Sequence, residues 1–353
     1  MKKRIMKVVV FFVVLEIIIT IVNLLFWDNV HSYTRLMIKE MYQYEGNIDV
    51  VFLGASHVYR SYDTEIADGI LQKNTFNAGS SSQDFCSSYY LLKEISQYHN
   101  VDTVYFDVGF IMGRQEETSK IAVNILSAYM KNGFNKISMM WNELGLEAVV
   151  DFFLPVRYGF KVNFISLYKE KLSYDYKSGG YSYVTYDNEE YKGNGFVYSY
   201  LEADENTAFS GYIIDEEKPL SDMSLKYLMK MIEYCDKNGI KLVLVESPMP
   251  DATLEKTKGY QTYLNYIEQI AKENQIEFLN FNLAKNKLLT MGMKDYKDNN
   301  HLNGIGAKKY TEAFCNLIIG LKCGTINKED MFFSYYADKL KNNFDDTYNR
   351  VKN

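Results

Sequence analysis

The chain has 353 residues, of which 47% are hydrophobic and 24% charged, a length and balance that suit a large folded core and exclude general disorder. Its formal net charge is -6 and its Lys and Arg are scattered, so the basic stripe that a phosphate backbone demands is absent and nucleic-acid binding is excluded. Cys86, Cys235, Cys315 and Cys323 show no CxxC spacing and the four His are dispersed, so no metal and no organic cofactor is expected; one disulfide or four free thiols both stay open.

The N-terminus reads Met1-Lys2-Lys3-Arg4, then Lys7, then an apolar run from Val8 to Trp27. Twenty apolar residues are about what a helix needs to cross a hydrocarbon core of ~30 Å. Leu24-Leu25-Phe26-Trp27 stands where a small-x-small cleavage site would be, so residues 7–27 read as an uncleaved anchor rather than a signal peptide. Basic residues before it and Asp28 after it put residues 1–6 in the cytoplasm and the remainder outside, at a cell membrane crossed once. Trp27 is expected at the outer interface, and Glu16 stands mid-span. Residues 28–46, with Tyr33, Leu36, Met37 and Met41, predict an amphipathic juxtamembrane segment between bilayer and domain.

From Ile48 onward strands alternate with helices. Ile48–Leu53, Thr75–Asn77, Thr103–Val108, Ile240–Val245 and Glu277–Asn280 read as short buried strands. Helices are predicted over 83–98, 221–237, 257–273 and 304–321, with Gly239 near the end of the second. This alternation predicts an α/β fold: a doubly wound, mainly parallel five-stranded sheet flanked by helices, covering residues 47–321. Sites in such sheets lie at the carboxyl ends of the strands. The rhythm breaks between residues 110 and 218, which read as an inserted cap with helical pieces near 116–131 and 146–154 and irregular β structure from Tyr174 to Tyr212. Residues 322–353 form a polar tail with a peripheral helix over 330–341.

Three stretches at strand ends carry candidate chemistry. Gly54-Ala55-Ser56-His57 follows the first strand, where glycine permits a sharp turn that presents the Ser56 hydroxyl and amide together. Asn77-Ala78-Gly79 follows the second, with an amide at Gly79 to face an oxyanion. Asp298-Asn299-Asn300-His301 precedes the last helix, and three-residue spacing in a turn lets the carboxylate hold one ring nitrogen while the other serves as base. Ser56, Asp298 and His301 are therefore the catalytic candidates. Ser56 and Gly79 are the oxyanion-hole candidates, and His57, Asn77 and Gln83 the pocket candidates. His57 is expected as pocket wall rather than base, and His31 and His99 as surface or interface residues.

These blocks resemble the SGNH/GDSL hydrolase superfamily: Gly54-Ala55-Ser56 its first block, with Ala55 where Asp often stands, Gly79 its second, and Asp298-x-x-His301 its last. The resemblance covers roughly residues 48–321 and implies an acyl-serine mechanism without a cofactor. Ser247-Pro248-Met249-Pro250 is similar to loops in envelope members. The third block departs from the pattern, because Thr103–Val108 runs into Gly109-Phe110-Ile111 without the Asn that donates to the oxyanion. Gln83 is the expected substitute, and Asp107 is less suitable because a carboxylate repels an oxyanion. Anchored relatives that also lack this Asn include the teichoic-acid D-alanylation and alginate-type O-acetylation proteins. The resemblance thus implies a cell-envelope polysaccharide or teichoic-acid-like acceptor and a membrane-bound O-acyltransferase partner. The alternative is an inactive SGNH-like domain that binds polymer or scaffolds that acyltransferase.

Overall fold

The computed structural model describes residues 2–30, 32–114, 120–160, 163–173, 176 and 188–342. Five short strands, β1 (Val50–Gly54), β2 (Thr75–Gly79), β3 (Thr103–Asp107), β6 (Lys241–Glu246) and β7 (Glu277–Asn280), form a parallel sheet in the order β2-β1-β3-β6-β7. β1 and β2 are wholly buried, as continuous apolar strands covered on both faces must be. Helices Phe85–Ile95 and Asp222–Asn238 pack together, and Gly304–Lys322 packs on Ser56–Ser61 and Thr64–Leu71. The sheet is the doubly wound α/β arrangement expected from the alternation. Its strand order reverses between β1 and β3, and ligands in such folds gather outside the strand ends at that point. Ser56 stands just beyond β1.

Between β3 and Asp222–Asn238 the chain forms short helices (Phe110–Gly113, Lys120–Ser127, Phe134–Leu144, Glu147–Phe153 and Phe164–Lys171) and an antiparallel hairpin, β4 (Glu189–Gly193) with β5 (Phe196–Ser199). Much of the irregular β structure expected over 174–212 lies outside the described residues, as do His31 and part of the expected helix 116–131.

Several expectations are corrected. Helix Tyr33–Gln43 turns its apolar side into the domain: Leu36 is buried, and Met37, Ile38 and Met41 belong to the main core. The peripheral helix expected over 330–341 is broken: Lys328–Met331 is helical, helix resumes at Tyr336, and between them Phe332 pairs with Ala284 and Phe333 donates its amide to Leu283. His99 is buried, its Nε2 2.8 Å from the Met41 carbonyl. All four thiols are free, three of them buried.

Helix Lys2–Phe26 is long and apolar enough to cross a membrane. Its last turn is tied to the insertion. Asn23 donates to the Phe153 carbonyl at 2.8 Å, and Lys171 donates to the Leu24 and Trp27 carbonyls, taking up acceptors that a helix end leaves unsatisfied. Trp27 stacks on Tyr129 with centroids 5.6 Å apart, so it is docked on the domain rather than standing free.

Candidate active site

β1 ends in Gly54, whose φ of +151° belongs to glycine. A Cβ there would lie 2.7 Å from Val58 and 3.1 Å from Asp107. The chain then turns directly into helix Ser56–Ser61, which puts Ser56 at its first position, where the backbone N–H has no intrahelical acceptor.

The last block arrives from the far side of the sequence. Lys297 donates its amide to the His301 carbonyl at 2.9 Å, closing a tight turn, and Asn303 caps helix Gly304–Lys322 through the amides of Ile305 and Gly306. Outside the turn, Asn299 accepts from Ser210 at 2.7 Å and from Thr253, while Asn300 donates to the Tyr212 hydroxyl. Inside it, Asp298 Oδ1 accepts the amides of Asn300 and His301, each at 3.0 Å.

The structure brings the three catalytic candidates together. The Ser56 hydroxyl and His301 Nε2 lie 2.7 Å apart, and His301 Nδ1 is 3.0 Å from both oxygens of Asp298. Burial raises the Asp298 carboxyl, but the hydrogen bonds and charge of His301 and the two amides outweigh it and hold the group well below the usual carboxylate range. Burial lowers His301, which Asp298 opposes while Arg60 and Lys297 add to the lowering, so the ring is neutral at neutral pH and able to accept a proton.

His57 stacks on His301 with centroids 4.9 Å apart. Burial, with His301 beside it, pushes its pKa down to about 3, and its Nε2 has no hydrogen-bond partner. It forms a neutral wall against the His301 imidazole.

The oxyanion side differs from expectation at two residues. The Gly79 amide donates to Asn77 Oδ1 at 3.2 Å, a long bond that must be shared or released if that N–H is to meet an oxyanion. Asn77 is a brace: its Nδ2 donates to the Val58 and Tyr62 carbonyls, tying β2 to the helix that begins at Ser56. Gln83 is not a free donor. Its Nε2 is committed to the Ala78 carbonyl and Ser88, and its Oε1 accepts from Ser80 at 2.7 Å. Buried polar groups must be satisfied, and here the loop's own backbone consumes that amide. Asp107 is likewise engaged, accepting from Gly109 and from the amide and hydroxyl of Ser247.

Sequence reasoning missed a buried ionic cluster around the site. Glu189, from β4, accepts from Arg60 Nη2 at 2.9 Å, Lys297 at 2.7 Å and the Tyr33 hydroxyl at 3.1 Å. Burial raises the Glu189 carboxyl, and Arg60 and Lys297 more than reverse this, so it is held ionised. Arg60 belongs to the helix of Ser56 and Lys297 to the turn of His301, so one carboxylate joins the two halves of the candidate site. No local motif marks Glu189, whose partners are far away in sequence.

Beside Gly79 and Ser81 opens a cavity of about 280 Å³ that extends past Tyr59, Tyr129 and Tyr158 to Trp27. Its lining is aromatic and hydroxyl-rich, amphipathic surface able to meet rings and polar groups at once. Among the described residues no cluster of His, Cys, Asp or Glu converges as a metal ion requires.

A protein-family model without a descriptive name matches residues 173–321, under half of the chain. No curated protein matches. Among solved structures the chain is similar to a GDSL-like lipase from Bacteroides thetaiotaomicron VPI-5482, with 14% identity, 82% of this chain and 100% of that one covered, and a TM-score of 0.37. A lipolytic protein of the G-D-S-L family from Desulfitobacterium hafniense DCB-2 is similar at 12% identity, 77% and 99% coverage and a TM-score of 0.37. An acetyl xylan esterase from the rumen bacterium Butyrivibrio proteoclasticus is similar at 7% identity, 80% and 66% coverage and a TM-score of 0.31. At that level of likeness, fold and chemistry rest on the chain's own strands and side chains.

Proposed function

We propose that this chain is a membrane-anchored, extracytoplasmic serine esterase or acyltransferase that handles O-acetyl or D-alanyl groups of a cell-envelope polymer through an acyl-Ser56 intermediate. The observation that carries the reading is the continuous line of contacts Ser56–His301–Asp298, with the hydroxyl 2.7 Å from Nε2 and both carboxylate oxygens on Nδ1.

The reaction runs in two halves. His301 Nε2 takes the Ser56 proton as the hydroxyl oxygen attacks the acyl carbonyl carbon, and Asp298 steadies the imidazolium that forms. The tetrahedral oxyanion faces the Ser56 amide, with the Gly79 amide joining as it leaves Asn77. The bond to the leaving group then breaks, and His301 returns the proton to that group. In the second half an acceptor hydroxyl, from polymer or water, gives its proton to His301 as it attacks the acyl-serine carbonyl; the ester bond to Ser56 Oγ then breaks and His301 returns the proton to that oxygen. With no Asn in the third block and Gln83 committed elsewhere, the hole relies on backbone donors; one missing donor costs on the order of 10²–10³ in rate. A membrane-bound O-acyltransferase is the proposed supplier of acyl groups.

The test is labelling of the full-length protein with a fluorophosphonate, read by mass spectrometry. A single adduct on Ser56 is expected; a folded protein that stays unlabelled, or is labelled elsewhere, refutes the assignment.

A further inference from the structure

Helix Glu147–Phe153 sends Ala148 into the core but also carries an apolar stripe on its outer side. Leu146, Val149, Val150 and Phe153 repeat at the spacing of one helix face, yet all four point to solvent, Leu146 at 80% and Val149 at 56% exposure. Of its two acids, Glu147 is exposed and paired with Lys120, while Asp151 is buried and accepts from Arg157, Tyr158 and Asn124. A folded domain in water spends an apolar stripe on its core, so an outward stripe marks a partner.

Helix Phe164–Lys171 repeats the pattern. Ile165, Tyr168 and Leu172 share a face and are exposed, while Leu167 is buried. Among the described residues beyond the apolar N-terminal helix, more than half of the exposed large hydrophobic side chains fall between residues 120 and 173.

Position decides the partner. Phe160 and Phe164 stack against Phe26, the last residue of the apolar helix, with centroids 5.4 and 5.2 Å apart. Asn23 is bonded to the Phe153 carbonyl from the same last turn. Both stripes therefore adjoin the point where the helix leaves a bilayer, and they extend its apolar surface sideways. An apolar surface continuous with the end of a membrane-crossing helix fits the interfacial layer of a bilayer.

We propose that helices Glu147–Phe153 and Phe164–Lys171 form a second membrane-contacting surface, which seats the domain in the interfacial layer of a phospholipid bilayer beside its anchor. This rests on the proposed retention of Lys2–Phe26 as anchor, and not on the chemistry at Ser56. Seated so, the cavity running from Trp27 to Gly79 starts at the membrane face.

The test uses the full-length chain in vesicles of phosphatidylcholine and phosphatidylglycerol. An environment-sensitive fluorophore is placed at Val149→Cys or Ile165→Cys, each in a Cys323→Ser background; native Cys323, the exposed thiol beyond the last core helix, is the comparison site. Labels at both test positions are expected to shift to the blue and be quenched by lipid-borne nitroxide, while the Cys323 label stays water-exposed and unquenched. A chain that floats intact with the vesicles but keeps both test labels hydrated overturns the proposal and leaves the anchor standing. Labels dehydrated only in native membranes assign the stripes to a protein partner and overturn it too. A chain found cleaved after Trp27 removes the anchor and the proposal together. None of these outcomes bears on fluorophosphonate labelling, so the catalytic reading succeeds or fails separately.

Discussion

The rings of His57 and His301 stack with centroids 4.9 Å apart and planes 24° from parallel, so a proton on one ring opposes a proton on the other. Burial settles which ring stays neutral. His57 is pushed to about 3 and does not titrate in the working range, leaving His301 as the ionisation that controls the base. Catalysis needs His301 neutral, and burial lowers its pKa despite Asp298. The acid limb of kcat/KM should therefore be a single ionisation lying below the ordinary histidine value of about 6.5. A pH–rate profile on a small acetyl ester measures it; an acid limb at or above that value contradicts the account.

Asp298 holds the ring through Nδ1 and is itself held by two backbone amides. Asp298→Asn keeps the shape but favours the wrong tautomer, and kcat should fall about 10⁴-fold with the fold intact. The carboxyl also carries a pH signature. Its folded pKa is depressed, so its stabilisation is present above the unfolded carboxylate value of about 3.9 and is lost as pH falls towards the folded value. Melting temperatures followed downward from pH 5 should drop more steeply for the parent than for Asp298→Asn.

Gly79 has no room for a side chain. A Cβ would stand 2.9 Å from the Tyr59 amide and 3.0 Å from the Ala55 carbonyl, both backbone atoms flanking Ser56. Gly79→Ala should cost about 1–3 kcal/mol of stability, in line with overpacking elsewhere, and should also reduce kcat by shifting the nucleophile. Denaturant midpoints and initial rates separate the two. Unchanged values for both would show that the site yields more than a packed interior does.

Glu189 neutralises two cations in a nearly closed space: its side chain is 4% exposed, Arg60's 9% and Lys297's 14%. Glu189→Ala leaves both without their carboxylate and should cost roughly 3–5 kcal/mol. Replacing the trio together, as Arg60→Met, Glu189→Leu and Lys297→Met, should recover most of that loss, because a charge-free cluster has nothing uncompensated to bury. Urea denaturation of the single and triple variants decides; a triple variant no better than Glu189→Ala would contradict the argument.

The parallel sheet was legible because its strands are short apolar runs ending in turn residues, a pattern that needs no long-range knowledge. The three blocks could be placed at strand ends by the same logic, and Ser56, Asp298 and His301 do meet there. What local pattern could not supply was the way polar groups are spent. Asn77 and Gln83 have the right chemistry for a pocket, yet their hydrogen bonds brace backbone, a choice made by neighbours distant in sequence. Helix Tyr33–Gln43 has a related ambiguity: an amphipathic helix announces an apolar partner without saying whether it is lipid or protein core, and Met37, Ile38 and Met41 pack in the core. Glu189 was invisible, because one acid beside Asp187 and Glu190 in a tyrosine-rich stretch gives no sign of two cations that only the fold delivers.

The hairpin tip has a further consequence. β2 is one of the two edge strands, and edge strands expose unpaired backbone groups that recruit other chains. Asn194 occupies one such group by accepting the Asn77 amide at 2.8 Å, and Gly195 packs so closely on Asn77 that a Cβ would overlap its carbonyl oxygen. Trimming the chain to a minimal catalytic core by deleting β4 and β5 would strip this cover from the sheet margin, and the product would tend to self-associate through β2 instead of remaining dispersed.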